Sequence, residues 1–254
     1  MAKKLRADQV LVERGQAESR SRAQALIMAG LAYLGDRRID KPGQMIDAEA
    51  VVTVKGRDHP WVSRGGVKLA HALDTLGWDV TGAVAIDVGS STGGFTDVLL
   101  TKGAAKVYAV DVGTNQLAWK LRQDARVVVL EQTNARHLTA GQIGEAVDLV
   151  VCDASFIGLA KVLAVPLTFA RPGARLVALV KPQFEAGPGE VGKGGVVRDS
   201  AVHQRVCEAA RAWVESVGWR VVALIESPIT GPEGNVEFLL CAERDGDAGP
   251  EGTL

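Results

Sequence analysis

The stretch that most constrains this chain is Ala85-Ile86-Asp87-Val88-Gly89-Ser90-Ser91-Thr92-Gly93-Gly94-Phe95-Thr96-Asp97-Val98-Leu99-Leu100. An apolar run with β-branched residues ends at Asp87, small residues follow, and an amphipathic segment begins near Gly94. That order specifies a strand, a tight glycine turn and a helix N-terminus, the place where an open α/β sheet holds a ligand. Glycines let the backbone come close to the ligand, and the first N–H groups of the helix have no intrahelical partner.

The spacing argues against two common nucleotide loops. A dinucleotide fingerprint needs Gly-x-Gly-x-x-Gly, but Ser91 stands at the middle position. A phosphate-cradling loop needs Lys-Ser/Thr at the helix start, where this chain has Gly94-Phe95. The stretch resembles the Asp-x-Gly-x-x-x-Gly-Gly-Phe pattern of S-adenosylmethionine methyltransferases. That resemblance assigns Asp87, Gly89, Ser90, Ser91, Gly93, Gly94 and Phe95 to a cofactor with a carboxylate, an ammonium and a ribose but no phosphate. A structural turn without ligand is the alternative for the motif taken alone.

The 254 residues are 47% hydrophobic and 23% charged, the composition of a globular chain with a sizeable core, and two domains of unequal size are expected. No apolar run reaches the length of a membrane span and no secretory signal is recognisable, so a cytoplasmic protein is expected. Cys152, Cys207 and Cys241 are widely spaced and read as buried, reduced thiols. The net charge of −1 conceals an asymmetry: residues 1–60 hold 11 Lys/Arg against 8 Asp/Glu, the remainder 18 against 22. A basic end on an acidic body hints at nucleic acid there, although a solvated charged face has the same count.

The N-terminal region reads as a helix over 7–14 and a second helix capped by Ser19 or Ser21, with Ala23, Leu26 and Ile27 inward and Gly30 as its stop. Arg20 and Arg22 fall at that helix start, where cations oppose the macrodipole, so a role outside the fold such as gripping phosphate is expected. Strand-like pieces at 31–34 and 51–54 are separated by Gly35-Asp36 and Lys41-Pro42-Gly43 turns. This region resembles the S-four (S4) domain, an RNA-binding module. The resemblance rests on Arg20-Ser21-Arg22-Ala23-x-x-x-Ile27-x-x-Gly30 and on the later Lys41-Pro42-Gly43 turn. It implies contact with RNA backbone through Arg6, Arg20, Arg22, Lys41 and Arg64.

Residues 59–64 read as a linker, since Pro60 disfavours helix at His59. A helix then begins near Ser63 with Val67, Ala70 and Leu73 on one face and Lys68 on its first turn. From residue 83 strands are expected at 83–88, 106–110, 127–130, 149–152, 175–180, 220–226 and 237–241, and helices at 94–101, 158–169 and 201–217. The expected fold class is α/β: a doubly wound, Rossmann-like sheet of seven strands with the last pair antiparallel, plus a small N-terminal α+β domain. The domain limits expected are 1–58, a linker at 59–64, a second domain at 65–243 and a frayed tail at 244–254.

Chemistry gathers at the carboxyl ends of such strands. Those ends carry Asp87, Asp111, Asp153 and Lys181. Asp111 lies 24 residues after Asp87, where a carboxylate can accept both ribose hydroxyls of an adenosyl group; Thr133 and Asn134 can reach the adenine edge. Glu237 opens the antiparallel last strand at the same edge, and Lys68 arrives from the preceding helix. Two cations and two carboxylates converging there must pair to offset desolvation, and such pairs can position a lysine amine against a ribose hydroxyl. The alternative, four unrelated surface charges, stands for any one of them singly.

Two decoys fall away. Gly187-Pro188-Gly189-Glu190-Val191-Gly192-Lys193-Gly194 misses the required Ser/Thr of a phosphate loop, and reads as a mobile lid. The histidines and cysteines share no ligand spacing, so no metal is expected.

Taken together the residues resemble the TlyA (hemolysin A) family, an S4 domain joined to an FtsJ-like ribose methyltransferase. The motifs are Ser63-Arg64-Gly65-Gly66-x-Lys68-Leu69, the Asp87 stretch, Asp153-x-Ser155-Phe156-Ile157, Val180-Lys181-Pro182-Gln183-Phe184-Glu185, Gly192-Lys193-Gly194-Gly195-Val196-Val197-Arg198-Asp199 and Gly234-Asn235-x-Glu237-Phe238. The resemblance implies S-adenosylmethionine-dependent 2′-O-methylation of cytidine in ribosomal RNA. It maps a catalytic Lys-Asp-Lys-Glu tetrad onto Lys68, Asp153, Lys181 and Glu237. It implies ribosomal RNA or subunits as partners, with no membrane and a monomer. A non-catalytic assembly factor and a membrane-lysing toxin are the competing functions; the toxin lacks a long amphipathic helix to enter a bilayer.

Overall fold

A computed structural model describes residues 4–55, 59–187, 189–231 and 234–246. The expected boundary at 58, Pro188 and all but the first residues of the expected tail lie outside them.

The N-terminal unit comprises β1 (Lys4–Arg6), α1 (Ala7–Glu13), α2 (Arg20–Met28), β2 (Ala32–Leu34), β3 (Arg37–Arg38), β4 (Met45–Asp47) and β5 (Val52–Val54). Ser19 caps α2 by accepting the Arg22 N–H, so Ser19 rather than Ser21 is the cap. Ala7, Val10, Leu11, Ala23, Leu26, Ile27, Ala32, Ile39, Ile46 and Val52 form a core of their own. Strands β1, β3 and β4 were not legible in the sequence, because two or three residues are too few to establish an alternation.

The larger unit comprises α3 (Gly65–Leu76), β6 (Val84–Val88), α4 (Gly94–Thr101), β7 (Lys106–Val110), α5 (Trp119–Arg122), β8 (Val127–Leu130), α6 (Ala140–Ile143), β9 (Val147–Cys152), α7 (Leu159–Leu163), β10 (Ala170–Val180), α8 (Pro182–Glu185), α9 (Ser200–Ser216), β11 (Trp219–Glu226) and β12 (Phe238–Arg244). Seven strands form one sheet in the order β11-β12-β10-β9-β6-β7-β8. Only β12 runs against the rest, pairing antiparallel with both β10 and β11. The parallel strands are apolar on both faces, as a sheet covered by helices on both sides requires. Ile86, Val88, Val150 and Cys152 face the layer of α7 and α9, while Ala85, Leu149 and Val151 face that of α3 and α4.

Three expectations are corrected. The helix expected over 158–169 stops at Leu163 and gives way to a 3₁₀ turn, Pro166–Phe169, because Pro166 cannot donate to the preceding turn. Within α3 Ala70 and Leu73 are buried as expected, together with Leu69 and Ala72, but Val67 is only half-buried. Strand β12 extends to Arg244, whose guanidinium donates to the Ala170 carbonyl, so Arg244 belongs to the sheet and not to the tail.

The chain leaves β6 to build β7 and β8 on one side, then returns to build β9 on the other. The crevice of such a sheet opens where the order reverses, beyond the carboxyl ends of β6 and β9. Register brings Asp87 beside Val151 and Val88 beside Cys152, placing Asp87 and Asp153 at one edge. The Val180–Phe238 pairing puts Lys181 and Glu237 at that edge too.

Candidate active site

The glycine turn after β6 is shaped by close contacts. Gly89 has φ +77°, and a Cβ there would stand 2.8 Å from the Ala154 backbone. At Gly94 a Cβ would lie 2.3 Å from Ser63 Oγ and 2.9 Å from the Gly66 nitrogen. The missing side chain therefore lets the start of α3, and with it Lys68, reach the crevice. Gly93 faces Leu117 and Leu121 and Phe95 is buried in the apolar core, so these two shape the turn from behind. Ser90 is buried. Ser91, at φ +46°, donates its N–H to Asp111 Oδ2 at 2.8 Å.

Asp87 is fully buried. Its Oδ2 accepts from the Thr96 N–H at 3.0 Å and from the Thr96 hydroxyl at 2.7 Å, while Oδ1 has no hydrogen-bond partner among the described residues. Burial pushes its carboxyl up to about 7, against the pull of Thr96.

Two adjoining cavities open here. One, of about 390 Å³, is lined by Lys68, Asp87, residues 89–92, Gly94, Asp153, Lys181 and Glu237 among others. The other, of about 490 Å³, is lined by Val88, Val110, Asp111, Thr133, Asn134 and Ile157 among others, and the two share Gly89, Ser91, Asp153 and Ser155. Asp111 also accepts the Gly113 N–H at 2.7 Å, and Asn134 Oδ1 caps the short turn that follows by accepting from Arg136. The donor set fits S-adenosylmethionine. An orphaned buried carboxylate oxygen suits an ammonium, and an apolar slot with a carboxylate at its mouth suits an adenosyl group.

The four charged residues meet at the rim. Lys68 Nζ lies 2.5 Å from Glu237 Oε2 and 3.7 Å from Asp153 Oδ2. Lys181 Nζ lies 2.7 Å from Asp153 Oδ1. Both lysines and Glu237 are buried and Asp153 is half-buried, so this is a desolvated network of alternating charge rather than four surface charges.

Several residues here escaped the sequence reading. Glu131 accepts the N–H groups of Asn115, Gln116 and Leu117 and is paired with Arg122 at 2.5 Å, fixing the wall beside Asp111. Partial burial pushes its carboxyl up, but Arg122 and those N–H groups outweigh it and bring it down to about 2. Asp97 accepts the Val62 N–H at 2.8 Å and pairs with Lys120 at 2.8 Å, tying the chain between the units to α4. Buried Asn235 bonds Val197 and Gly195, and Glu190 pairs with Arg205 on α9, so the expected lid is anchored at both ends. A loop carboxylate or amide that caps distant N–H groups leaves no periodic signal. Phe156 combines φ +65° with 89% exposure and packs its ring 4.9 Å from Phe184 beside the second cavity.

The expected RNA residues divide. Arg6 donates to both oxygens of fully buried Asp8 at 3.0 and 2.9 Å, Arg20 reaches Asp8 at 3.3 Å, and Gln24 at 2.9 Å. The awkward position of Arg20 at a helix start is thus explained within the fold, correcting the expectation of a purely external role. Arg22, Lys41 and Arg64 are exposed, and among the described residues their side chains make no hydrogen bond or ion pair. Arg22 and Arg64 line one groove, which shares Glu18, Ser63, Arg64 and Ile229 with the cavity of the charged tetrad. Among the described residues no cluster of His, Cys, Asp or Glu could hold a metal, and no helix is long and apolar enough to cross a membrane.

The sheet order, the glycine turn and the tetrad define an α/β S-adenosylmethionine methyltransferase fused to a small N-terminal module. The FtsJ-like methyltransferase family model matches residues 61–244 and the S4 domain model matches 5–52. The chain belongs to the FtsJ-like methyltransferase family. It is 50% identical over 252 residues to a Bacillus subtilis protein named as an rRNA methyltransferase, covering 99% of this chain and 89% of that one. It is 49% identical over 241 residues to the 16S/23S rRNA (cytidine-2′-O)-methyltransferase TlyA of Mycobacterium tuberculosis, covering 94% and 90%. Among solved structures, one described as a hemolysin, from Streptococcus thermophilus, superposes with a TM-score of 0.76 at 43% identity, covering 96% of this chain and 90% of that one.

Proposed function

We propose that this protein transfers a methyl group from S-adenosylmethionine to the 2′-oxygen of a cytidine in ribosomal RNA. The observation that carries the reading is the buried Lys68–Glu237 and Lys181–Asp153 pairing at the crevice where the sheet order reverses. The substrate class comes from the relatives named above and from the S4 match.

In this reading Asp87, Gly89, Ser90 and Ser91 hold the amino-acid end of the cofactor, and Asp111, Thr133 and Asn134 the adenosyl end. Gly93, Gly94 and Phe95 keep the turn in shape. Bound there, the cofactor supplies an electrophilic methyl group. Lys181 orients the ribose hydroxyl and handles its proton, Asp153 and Glu237 orient the two lysines, and Lys68 steadies the target nucleotide. Arg22, Lys41 and Arg64 contact phosphate, whereas Arg6 and Arg20 shape that face through Asp8. The exposed ring of Phe156 offers a base a stacking surface. The RNA module ends near residue 58, a linker follows to 64, and the enzyme unit runs through Arg244. A monomer working in the cytoplasm on ribosomal subunits, with the three buried cysteines reduced, accords with this activity.

The test incubates the pure protein with radiolabelled S-adenosylmethionine and unmodified ribosomal subunits, then digests the RNA to nucleosides. Label in 2′-O-methylcytidine, absent with Lys181→Ala, is the expected result. Cofactor binding without label on either subunit would favour the assembly factor instead.

A further inference from the structure

Lys181 and its surroundings carry more than an ion pair. An ammonium has three protons to donate. Two of those of Lys181 go to the Asp153 carbonyl at 3.2 Å and to Ser155 Oγ at 2.9 Å, while Asp153 Oδ1, at 2.7 Å, is an ion-pair partner only. All three come from residues 153–155, the segment that follows β9 and folds round the amine. Ser155 is also one of four residues bordering both cavities, so its hydroxyl stands where the cofactor slot meets the tetrad cleft.

The three oxygens differ in kind. A carboxylate is charged, and a backbone carbonyl is fixed by the chain. The hydroxyl is the one side-chain group among the described residues that accepts a hydrogen bond from Lys181, and with the carbonyl it fixes two of the three N–H directions. We infer that Ser155 is a positioning residue for Lys181: its hydroxyl, with the Asp153 carbonyl, holds two of the ammonium's protons and so aims the third position of the amine at the ribose 2′-oxygen. The amine is thereby aimed before substrate arrives, rather than sweeping through the rotamers of a long flexible side chain. This rests on the ribose methyltransferase reading above. Ser155 makes and breaks no covalent bond in it.

The experiment compares the full-length wild type with Ser155→Ala, Ser155→Thr and Lys181→Ala. Steady-state and single-turnover methyl transfer are measured on unmodified ribosomal subunits, and cofactor affinity by calorimetry. Because Ser155 is exposed, Ser155→Ala should melt with the wild type. Losing one hydrogen bond to a charged group, its kcat should fall about tenfold or more. Its KM for RNA and Kd for cofactor should stay within about threefold, and Ser155→Thr, which keeps the hydroxyl, should recover most of the rate. A merely structural residue would give neither the split between kcat and KM nor the rescue by Thr. Wild-type kcat in Ser155→Ala, equal damage in Ala and Thr, or a loss confined to cofactor affinity would each overturn the inference. With Lys181→Ala inactive, those results leave the methyltransferase reading standing. A fully active Lys181→Ala would overturn the reading and the inference together.

Discussion

Lys68 and Glu237, 169 residues apart in the chain, meet at 2.5 Å, the lysine from the first turn of α3 and the glutamate from the residue before β12. The contact closes the crevice from two elements that sequence order keeps far apart. It depends on Gly94, whose missing side chain lets Ser63 and Gly66 lie against the glycine turn.

Breaking this buried pair should destabilise the protein and stop turnover. Glu237→Ala leaves a buried ammonium with only the longer contact to Asp153, at a cost of about 3–5 kcal/mol. Replacing both, as Lys68→Met with Glu237→Leu, should restore most of that stability and none of the activity. Chemical denaturation beside the methyl-transfer assay measures both; a double variant no more stable than Glu237→Ala would contradict this account.

Asp87 should make stability and cofactor affinity depend on pH in opposite senses. Its folded pKa, about 7, lies above the unfolded value of about 3.9, so the folded state keeps a proton that the unfolded chain releases. The stability it contributes is complete below about pH 4 and is lost as pH rises through about 7. An ammonium beside Oδ1 favours the ionised carboxyl, so cofactor affinity should rise over the same interval. Asp87→Asn should flatten both trends in paired denaturation and calorimetry series.

Glu131 should act on the cofactor through the wall it holds. In Glu131→Ala the three N–H groups at 115–117 lose their acceptor, and cofactor Kd should rise about tenfold. Because the folded pKa is depressed to about 2, its stabilisation is present above about pH 4.3 and is lost as pH falls through about 2. The stability gap between wild type and variant should therefore shrink with acidification.

The basic residues should separate by salt dependence. Each of Arg22→Ala, Lys41→Ala and Arg64→Ala should weaken RNA binding and lower the salt slope by about 0.7–0.9, one phosphate contact's worth. Binding titrations at several salt concentrations measure this, and an unchanged slope would remove that residue from the RNA face.

Asp8→Ala should instead melt the N-terminal unit, since it strands Arg6, Arg20 and Gln24 together, at about 2 kcal/mol. Arg6 first of all holds the Asp8 carboxyl well below the usual range. Its contribution is thus present above about pH 4 and lost as pH falls. Amide exchange confined to residues 4–55 reads it.

Much of this protein was written locally. Short, largely apolar runs gave Lys106–Val110 and Val127–Leu130 their limits to the residue, and the glycine turn marked Gly94–Thr101 in the same way. Strand ends alone nominated Asp87, Asp111, Asp153 and Lys181, because in a parallel sheet the side of the crevice follows from chain direction. The tertiary structure decided what direction and periodicity cannot encode. Whether Arg20 faces RNA or Asp8 depends on a carboxylate twelve residues away on another helix. That Ser155 completes the shell of Lys181, and Glu131 the wall beside Asp111, depends on loops folding back on themselves. Hydrogen bonds to a buried charge are set by distances in space, and residue spacing along the chain does not carry them.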